Sequence, residues 1–506
     1  MPHDGGKTMS RLQLKGVGKS YGATKALRHA DLDIEAGEVH VLMGSNGSGK
    51  STLSKIVAGS VRPDTGEILL DGKPVSITGP QAARRLGIAI FYQELSLAAH
   101  RTVAENICLA DLPSRGVFVD RTALEARAAK YIALFDGVTG DDFSPDAVVQ
   151  DLRADQRQLV EIMKTLAGEA SVLIFDEATS ALDRAQVERF FEILRDLKRQ
   201  GRSIIFISHR MDEIFAIGDR ATVIRDGEIV GSRQIAGTTP AEIISMMVGA
   251  QEETATVADA APARPAGPPV LSVRGLTGPG FSDIGFDVRA GEILGFGGLH
   301  GQGQSAVLRA LFGANSPTAG SVELGGKPLH PKNPRATIRQ GVAYVSGDRS
   351  RDGVVSGRPI LENVMPIHYL RERMMLANPS ALAAKALPAL QALKTKFAGL
   401  GHPISSLSGG NQQKVVIARW LIDRPAVLLL DDPTKGIDLS AKADLFSLIR
   451  KLAGEGMGIV LYASEDAELL DNADRILVFN GGAIRRELTG AARTRFNLYQ
   501  AAYEAA

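Results

Sequence analysis

The sequence contains 506 residues, 44% of them hydrophobic and 23% charged, which is typical of a globular chain and suits two domains of ordinary size. Its 58 basic and 57 acidic residues leave a net charge of +1, so bulk charge gives no reason to expect a nucleic-acid partner. The opening residues MPHDGGKTMS lack the apolar segment of a signal peptide, and the longest apolar runs fall far short of the ~20 residues that span a bilayer. A role at a membrane would therefore require a membrane-spanning partner chain.

The first predicted elements are short segments of alternating polarity. They are Leu12–Lys15, Leu32–Ile34 and Ile68–Leu70. This period of two is typical of strands with one buried face, and it predicts a small antiparallel sheet.

A complete P-loop follows the strand-like segment Glu38–Met43. Its residues are Gly44, Ser45, Asn46, Gly47, Ser48, Gly49, Lys50 and Ser51, and a predicted helix continues from Thr52. In such a loop the backbone N–H groups and the helix N-terminus bind phosphate oxygens. Lys50 is expected to reach the β- and γ-phosphates of ATP, and the Ser51 hydroxyl to ligate Mg²⁺. A plain glycine-rich turn with a solvent-facing lysine is the weaker interpretation, because the flanking strand and helix are both present.

Segments near residues 100–160 and 355–405 are predicted to be helical, and the first contains the single cysteine, Cys108. One cysteine excludes an internal disulfide and any cysteine-based zinc or iron–sulfur site. Cys108 lies in the apolar stretch Val103–Leu109, which predicts a buried structural thiol rather than a reactive one. A reducing cytoplasm fits this cysteine content.

Two adjacent carboxylates, Asp176 and Glu177, end the strand-like run Val172–Phe175. Buried carboxylates require a positive partner, so the pair favours a cation site over a surface turn. Asp176 suits the hydration shell of Mg²⁺, and Glu177 suits orienting or deprotonating an attacking water. Together with the helix-like stretch Gln186–Arg199 and the strand-like run Ser203–Ile207, this alternation predicts an α/β fold built on a mainly parallel sheet.

The second half of the chain repeats the first. Gly44 matches Gly298 in GLHGQGQS at an offset of 254 residues, and Asp176 matches Asp431 in VLLLDDPTKGID at an offset of 255. Such self-similarity predicts a duplicated domain. Residues 251–269 are rich in Ala and Pro and without apolar periodicity, so we expect domains at 9–250 and 270–506 joined by this linker.

Gln93 and His209 are ambiguous as single residues, because a polar side chain at the end of a strand is usually a cap. Their order behind the P-loop and around the acidic pair, with SALD at Ser180–Asp183, makes the pattern specific. The chain resembles the ABC ATPase family over essentially its whole length, twice. The resemblance implies two tandem P-loop ATPase domains, each with a parallel-sheet core, an antiparallel β subdomain and a helical subdomain.

The resemblance also implies roles for single residues. Gln93 and His209 would serve hydrolysis beside Glu177 and Lys50, with Gln93 also near the metal. Tyr21 would stack on adenine, the alternative being a half-buried tyrosine at the end of a strand. In this family two such domains pair head to tail, and each ATP contacts the P-loop of one domain and the signature segment of the other.

The second P-loop and its partners have lost the chemically important residues. Gln304 stands at the position of Lys50, Gly347 at that of Gln93, Asp432 at that of Glu177 and Ser464 at that of His209. No tyrosine matches Tyr21. A carboxylate displaced by about 1 Å can cost ~10²-fold in rate.

The signature segments show the opposite bias. The second half has a full match at Leu407–Gln412, opening a predicted helix Gln413–Leu421, and we expect the nucleotide contacts there to come from Ser408, Gly409, Gly410 and Gln412. The first half has Arg153 and Asp155 instead, and Asp155 would set a carboxylate against a triphosphate. In the head-to-tail pairing all losses fall in one composite site. We therefore expect one hydrolytic site and one that binds nucleotide weakly or statically.

Three segments narrow the resemblance to one subgroup. GDRSRDGVV at Gly347–Val355, LSGGNQQK and QELSLAAHRTVAENI at Gln93–Ile107 are similar to the tandem ATPases of bacterial monosaccharide importers of the ribose, xylose and galactose kind. The resemblance implies two permease subunits, a periplasmic or extracellular sugar-binding protein, and a place on the cytoplasmic face of the cell membrane. Two positions depart from the subgroup: an acidic residue is usual at the position of Gly347, and Glu is usual at that of Asp432. The sugar is not encoded in this chain.

Three other functions fit the sequence less well. We call each P-loop with its acidic pair a cradle: Gly44–Ser51 with Asp176 and Glu177 is the first, and Gly298–Ser305 with Asp431 and Asp432 is the second. A soluble tandem ABC ATPase acting on ribosomes usually has two intact cradles and a long, charged, helical segment between its domains, neither of which is present. A DNA-repair ABC ATPase would need zinc-binding cysteines or a long coiled coil. An isolated ATP-binding regulator is opposed only by the segment after Gln93, which resembles a permease-docking region.

Overall fold

The computed structural model describes residues 10–22, 24–45, 47–92, 95–116, 118–140, 142–208, 210–249, 268–372, 374, 378–435, 437 and 439–503. The chain divides into two compact units, the first ending at Gly249 and the second beginning at Ala250. The predicted linker lies outside the described residues up to position 267, and the first strand of the second unit begins at Pro269, the last residue assigned to that linker. Across these ranges no helix has the length and apolar character of a membrane span.

The first unit contains twelve strands and eight α-helices among its described residues. The strands are β1 Ser10–Tyr21, β2 Thr24–Glu35, β3 Val39–Met43, β4 Thr65–Leu70, β5 Lys73–Val75, β6 Ile88–Phe91, β7 Ser114–Arg115, β8 Phe118–Val119, β9 Val172–Asp176, β10 Ser203–Ile207, β11 Arg220–Arg225 and β12 Glu228–Gln234. The helices are α1 Lys50–Val57, α2 Pro80–Arg85, α3 Val103–Ile107, α4 Arg121–Ile132, α5 Ala154–Ala167, α6 Arg184–Arg199, α7 Met211–Ile217 and α8 Pro240–Val248, with 3₁₀ turns at Ala133–Phe135 and Val149–Asp151.

The ten main strands of this unit form one sheet in the order β5-β4-β1-β2-β12-β11-β3-β10-β9-β6. Strands β11, β3, β10, β9 and β6 run parallel, whereas β1, β2, β4 and β5 pair antiparallel. Both sheet types were predicted from the apolar patterns. Every residue of β3, β9 and β10 is buried, as expected of parallel strands covered on both faces.

The second unit repeats this architecture. Its described strands are β13 Pro269–Gly278, β14 Phe281–Arg289, β15 Ile293–Gly298, β16 Ala319–Leu324, β17 Lys327–Leu329, β18 Val342–Val345, β19 Val427–Asp431, β20 Gly458–Tyr462, β21 Arg475–Asn480 and β22 Ala483–Thr489. The helices are α9 Gln304–Phe312, α10 Pro334–Gln340, α11 Ile360–Val364, α12 Pro366–Glu372, α13 Pro379–Ala392, α14 Gly409–Leu421, α15 Leu439–Gly454, α16 Asp466–Asn472 and α17 Arg495–Tyr503, with single turns at Arg349–Gly353, Ile404–Ser406 and Gly490–Ala492.

The parallel strand order is the same in both units. In the second unit a six-stranded sheet runs β18-β19-β20-β15-β21-β22, and a separate four-stranded antiparallel sheet runs β14-β13-β16-β17. Strand for strand, β15 corresponds to β3, β19 to β9 and β18 to β6. The carboxyl ends of β3 and β9, or of β15 and β19, therefore meet at one edge of each sheet, which is where α/β sheets bind their ligands.

The helical segments lie where the sequence predicted them, near 100–160 and 355–405, though as several short helices. In the first unit α3, α4 and α5 pack into one hydrophobic cluster with the buried residues of β6, β9 and β10. Cys108 is buried in that cluster, as predicted, and burial raises the pKa of its thiol. It is a structural thiol.

Candidate nucleotide sites

The P-loop of the first unit connects the end of β3 to the start of α1. Gly44 has φ 153° and Gly49 φ 111°, so both use the region that favours glycine. A Cβ at Gly49 would lie 2.6 Å from the carbonyl oxygen of Ala26, and one at Gly44 would collide with the carbonyl oxygen of Ile224. The two glycines are thus required by backbone conformation and by space, as the motif predicted.

Lys50 closes this loop. Its Nζ donates hydrogen bonds to the carbonyl oxygens of Gly44 at 2.7 Å and Ser45 at 2.9 Å. Burial lowers the pKa of Lys50, while the charges of Asp176 and Glu177 act to raise it. Ser48 is 3% exposed, and its hydroxyl has no hydrogen-bond partner among the described residues. An unpaired buried hydroxyl in the loop fits a site built to receive an anion.

The acidic pair lies at the carboxyl end of β9. Burial raises the pKa of Asp176 to about 6, the neighbouring Glu177 adds to this, and Lys50 and a hydrogen bond with Ser51 act in the other direction. Glu177 turns off the strand with φ 55° and donates its backbone N–H to the carbonyl oxygen of Ile207 at 2.9 Å. The Ser51 hydroxyl and the buried Asp176 carboxyl offer hard oxygen ligands side by side, so this position fits Mg²⁺.

Two buried residues that the sequence analysis did not single out support the acidic turn. Gln158 of α5 donates from Nε2 to the carbonyl oxygen of Ala178 at 2.6 Å and to the Ser180 hydroxyl at 3.2 Å. Glu213 of α7 accepts hydrogen bonds from Thr179 at 2.8 Å and Ser208 at 2.7 Å. Polar residues at apolar-facing helix positions were the only signal in the sequence. They hold the segment that follows Glu177 and connect it to Ser208 at the end of β10.

Three predicted site residues, Asn46, Gln93 and His209, lie outside the described residues. Tyr21 ends strand β1 and is 49% exposed, with Nζ of Lys19 5.8 Å from its ring centroid. The residue is about half exposed, which is compatible with both interpretations.

The P-loop of the second unit is filled by Gln304. This side chain is 1% exposed and donates from Nε2 to the carbonyl oxygens of Gly297 at 3.2 Å and Leu299 at 2.9 Å. Lys50 likewise bonds to two loop carbonyl oxygens in the first unit, and its bond to Ser45 matches that of Gln304 to Leu299. Gln304 therefore preserves the loop and removes its charge.

The acidic turn of the second unit is held by its own neighbours. Asp432 has φ 53° and accepts hydrogen bonds from the backbone N–H and hydroxyl of Ser464, both at 3.1 Å. Gly347 packs against this turn, because a Cβ there would lie 2.8 Å from the carbonyl oxygen of Asp431. The residues that replace Glu177, His209 and Gln93 thus pack into a compact turn. Position 347 is a glycine and has no side chain that could take the place of Gln93.

The signature segment of the second unit opens α14. Ser408 is the N-cap residue, and its exposed hydroxyl accepts a hydrogen bond from Asn411 at 2.9 Å. Gly410 is buried, and Gln412 donates from Nε2 to the carbonyl oxygen of Leu407 at 3.0 Å. The helix begins at Gly409, earlier than predicted, so the backbone N–H groups of its first turn belong to the signature residues themselves.

The corresponding segment of the first unit carries an ion pair. Arg153 lies 3.3 Å from both Asp155 and Asp142, and Asp155 also accepts a hydrogen bond from Gln186 at 3.1 Å. Burial acts to raise the pKa of Asp155, but the hydrogen bonds from Arg153 and Gln186 outweigh it, so the net pKa is lowered. Asp155 is negatively charged as predicted, but Arg153 compensates much of its charge.

Comparison with known proteins agrees with this geometry. The ABC transporter family model matches residues 27–180 and 281–435. A putative ribose/galactose/methyl galactoside import ATP-binding protein of Burkholderia ambifaria is 42% identical over 96% of this chain and 93% of its own length. Ribose import ATP-binding proteins of Rubrobacter xylanophilus and Chromobacterium violaceum are each 42% identical, over 96% and 93% of this chain and equal shares of their own.

Among solved structures, a nucleotide-free ATP-binding cassette from an ABC transporter aligns at 22% identity and a TM-score of 0.41, covering 48% of this chain and 100% of its own. The matches to the family model cover both P-loops and both acidic turns. The chain belongs to the ABC transporter family and carries two of its ATPase domains in tandem.

Proposed function

We propose that this chain is the ATP-hydrolysing subunit of an importer for ribose, galactose or a related monosaccharide. One observation carries the proposal: relatives 42% identical over more than nine tenths of the chain are named as import ATP-binding proteins for these sugars. The complete P-loop and acidic pair of the first unit supply the chemistry that such a subunit needs. The relatives give no support to a role on ribosomes.

Hydrolysis is assigned to the first unit. The loop from Gly44 to Thr52 would hold the ATP phosphates through its backbone N–H groups, with the charge of Lys50 on the β- and γ-phosphates. Glu177 would orient the attacking water and accept its proton. Tyr21 is proposed as the adenine contact, and Gln93 and His209 as residues that serve hydrolysis, as the family resemblance implies.

Mg²⁺ is proposed as the cofactor, held by Ser51, Asp176 and Gln93. When bound, it would neutralise charge on the β- and γ-phosphate oxygens. The described residues fit this ion, because the buried Asp176 carboxyl and the Ser51 hydroxyl are hydrogen-bonded neighbours. The raised pKa of Asp176 indicates that the nearby positive charges do not fully compensate the negative charge of its carboxylate.

The second unit is proposed to contribute its signature turn and not its own P-loop chemistry. Ser408, Gly409, Gly410 and Gln412 are proposed as nucleotide contacts, through the exposed hydroxyl of Ser408 and the free N–H groups at the start of α14. The second cradle is poorly suited to hydrolysis, because Gln304 is neutral and Asp432 is already hydrogen-bonded to Ser464.

The names of the relatives support a membrane-spanning partner. An import ATP-binding subunit works with a membrane-spanning permease, and we propose two permease subunits, a sugar-binding protein outside the membrane, and a place for this chain on the cytoplasmic face. The predicted domain boundaries, 9–250 and 270–506, describe the two ATPase domains in this scheme.

Uptake in living cells tests the proposal directly. In a strain lacking this gene, we expect import of labelled ribose or galactose to fall and to return with the wild-type gene but not with Glu177→Gln. Asp432→Asn is the matched control at the same position of the second unit and should restore uptake. If uptake of these and related monosaccharides is unchanged by the deletion, the assignment to sugar import is wrong.

A further inference from the structure

The carboxylate of Asp431 in the second unit has a hydroxyl on each of its oxygens. Ser305 donates to Oδ1 at 2.6 Å and Tyr344 donates to Oδ2 at 2.6 Å. Asp431 is the counterpart of Asp176, the residue proposed to hold Mg²⁺ in the first unit. The bond with Ser305 has a counterpart there, because Ser51 bonds to Asp176. The bond with Tyr344 has none.

Strand register identifies what stands in place of Tyr344 in the first unit. Tyr344 of β18 pairs with Leu429, two residues before Asp431. Ile90 of β6 pairs with Ile174, two residues before Asp176. The two positions are equivalent, and isoleucine has no group that can donate to a carboxylate. One nearby positive charge is common to both units, since Arg309 and Lys55 occupy matching positions of α9 and α1, whereas Lys50 is replaced by the neutral Gln304.

An aromatic cluster holds the Tyr344 ring in place. Phe312 stacks on Tyr344 with ring centroids 5.0 Å apart, and Trp420 packs edge-on against Phe312 at 5.9 Å. At the matching positions the first unit has Ala58, Ile90 and Thr165, so all three rings are specific to the second unit. Aromatic pairs of this geometry attract one another, which limits rotation of Tyr344 away from Asp431.

We propose that the Tyr344 hydroxyl, fixed by this aromatic cluster, closes the second cradle to a divalent cation. A cation at Asp431 would have to displace a short hydrogen bond to a carboxylate, which is among the stronger hydrogen bonds in proteins. The inference rests on the proposed function of the first unit and extends it: the chain holds one metal–nucleotide, and Tyr344 rather than the missing lysine bars the second.

Counting bound Mn²⁺ by electron paramagnetic resonance tests this, using the full chain and a non-hydrolysable ATP analogue. We expect one nucleotide-dependent Mn²⁺ for the wild type and none for Lys50→Ala. Adding Gln304→Lys to Lys50→Ala places a lysine in the second cradle, but we expect that this double variant still binds no Mn²⁺. Adding Tyr344→Phe as well keeps the ring, removes the hydroxyl and should restore one Mn²⁺.

The control is Tyr369→Phe in the Lys50→Ala, Gln304→Lys background, which removes a different tyrosine hydroxyl of the same unit and should restore nothing. Two Mn²⁺ in the wild type, recovery with Gln304→Lys alone, or no recovery in a folded triple variant would each overturn the inference. If the triple variant does not fold, the counts for the wild type and for Lys50→Ala, Gln304→Lys still decide. A folded wild type that binds no Mn²⁺ would instead contradict the proposed function.

Discussion

Lys50 and Gln304 hold their own P-loops from equivalent positions in the two units. Each side chain reaches back across its own P-loop and donates to two loop carbonyl oxygens, those of Gly44 and Ser45 in one unit and those of Gly297 and Leu299 in the other. The loops are therefore alike in shape and differ in charge. Ammonium and amide are interchangeable for holding an empty loop, but only the ammonium neutralises phosphate.

The first prediction compares alanine at these two positions. Lys50→Ala should reduce Mg²⁺-dependent ATPase activity by ~10²-fold or more, because a cation facing the transferred phosphoryl group is lost. Gln304→Ala should leave the ATPase rate close to wild type and lower the stability of the second unit by about 1–2 kcal/mol, because two buried hydrogen bonds are lost. Steady-state phosphate release and thermal unfolding measure the two effects. Equal losses of activity would show that the units are not functionally different.

The second prediction concerns the acidic turns. Glu177→Gln keeps size and hydrogen-bonding capacity but cannot accept a proton, so the hydrolysis rate should fall by ~10²–10⁴-fold while ATP remains bound. Asp432→Asn should change the rate little, because Asp432 is already engaged by Ser464. Single-turnover hydrolysis with labelled ATP separates binding from chemistry. Rapid turnover by Glu177→Gln would remove Glu177 from the proposed mechanism.

The third prediction concerns the signature turns. Ser408→Arg should reduce ATPase activity nearly as much as Lys50→Ala, because an arginine side chain would fill the open start of α14. Arg153→Ser is the matched change in the first unit. It should cost little activity, although it removes the ion pairs to Asp155 and Asp142. Because these pairs are exposed, the loss of stability should also be small. The readout is the ATPase rate at saturating ATP.

The fourth prediction uses the raised pKa of Asp176. In the metal-free chain this pKa rises from 3.8 to about 6 through burial and the neighbouring Glu177, so the folded chain loses stability as the pH rises through that interval. The loss is on the order of 3 kcal/mol at neutral pH. Asp176→Asn has no such charge, so it should melt higher than wild type at pH 8 in EDTA, and the difference should shrink toward pH 4.

The matched variant Asp431→Asn should behave in the opposite way. Both oxygens of Asp431 accept hydrogen bonds from hydroxyls, and an asparagine side chain can accept only through one of its two terminal atoms. We therefore expect Asp431→Asn to melt lower than wild type at pH 8. If both asparagine variants shift the melting temperature in the same direction, our inference that Asp176 and Asp431 have different surroundings in the two acidic turns is wrong.

Much of the fold and of the first cradle was predictable because the relevant signals are local. Gly44, Gly49 and Lys50 lie within one short loop, and their spacing alone indicates a phosphate site. Buried strands such as Val172–Asp176 consist mostly of a continuous apolar run, here Val172–Phe175, which is visible in the sequence itself. The start of α14 was placed too late, because Gly409 and Gly410 are poor helix formers and only the surrounding packing makes them helical.

The supporting residues could not be predicted, because the contacts that make them important are not local in sequence. Gln158 and Glu213 appear as ordinary polar residues on helices, and their importance comes from partners far along the chain, such as Ala178 and Thr179. The charge compensation of Asp155 by Arg153 was also missed. Residues two apart in a regular helix point away from each other, but Arg153 is the N-cap of α5, and its extended backbone lets the guanidinium reach Asp155.

The sequence by itself determined the duplicated ATPase architecture, the complete first cradle and the loss of lysine in the second, because residue type and short spacing carry those properties. Only the tertiary structure decided how the second cradle is closed. Tyr344 and Asp431 are 87 residues apart, and adjacent parallel strands bring the hydroxyl of one to the carboxylate of the other. A hydrogen bond depends on the distance between two groups in space, and chain folding alone sets that distance.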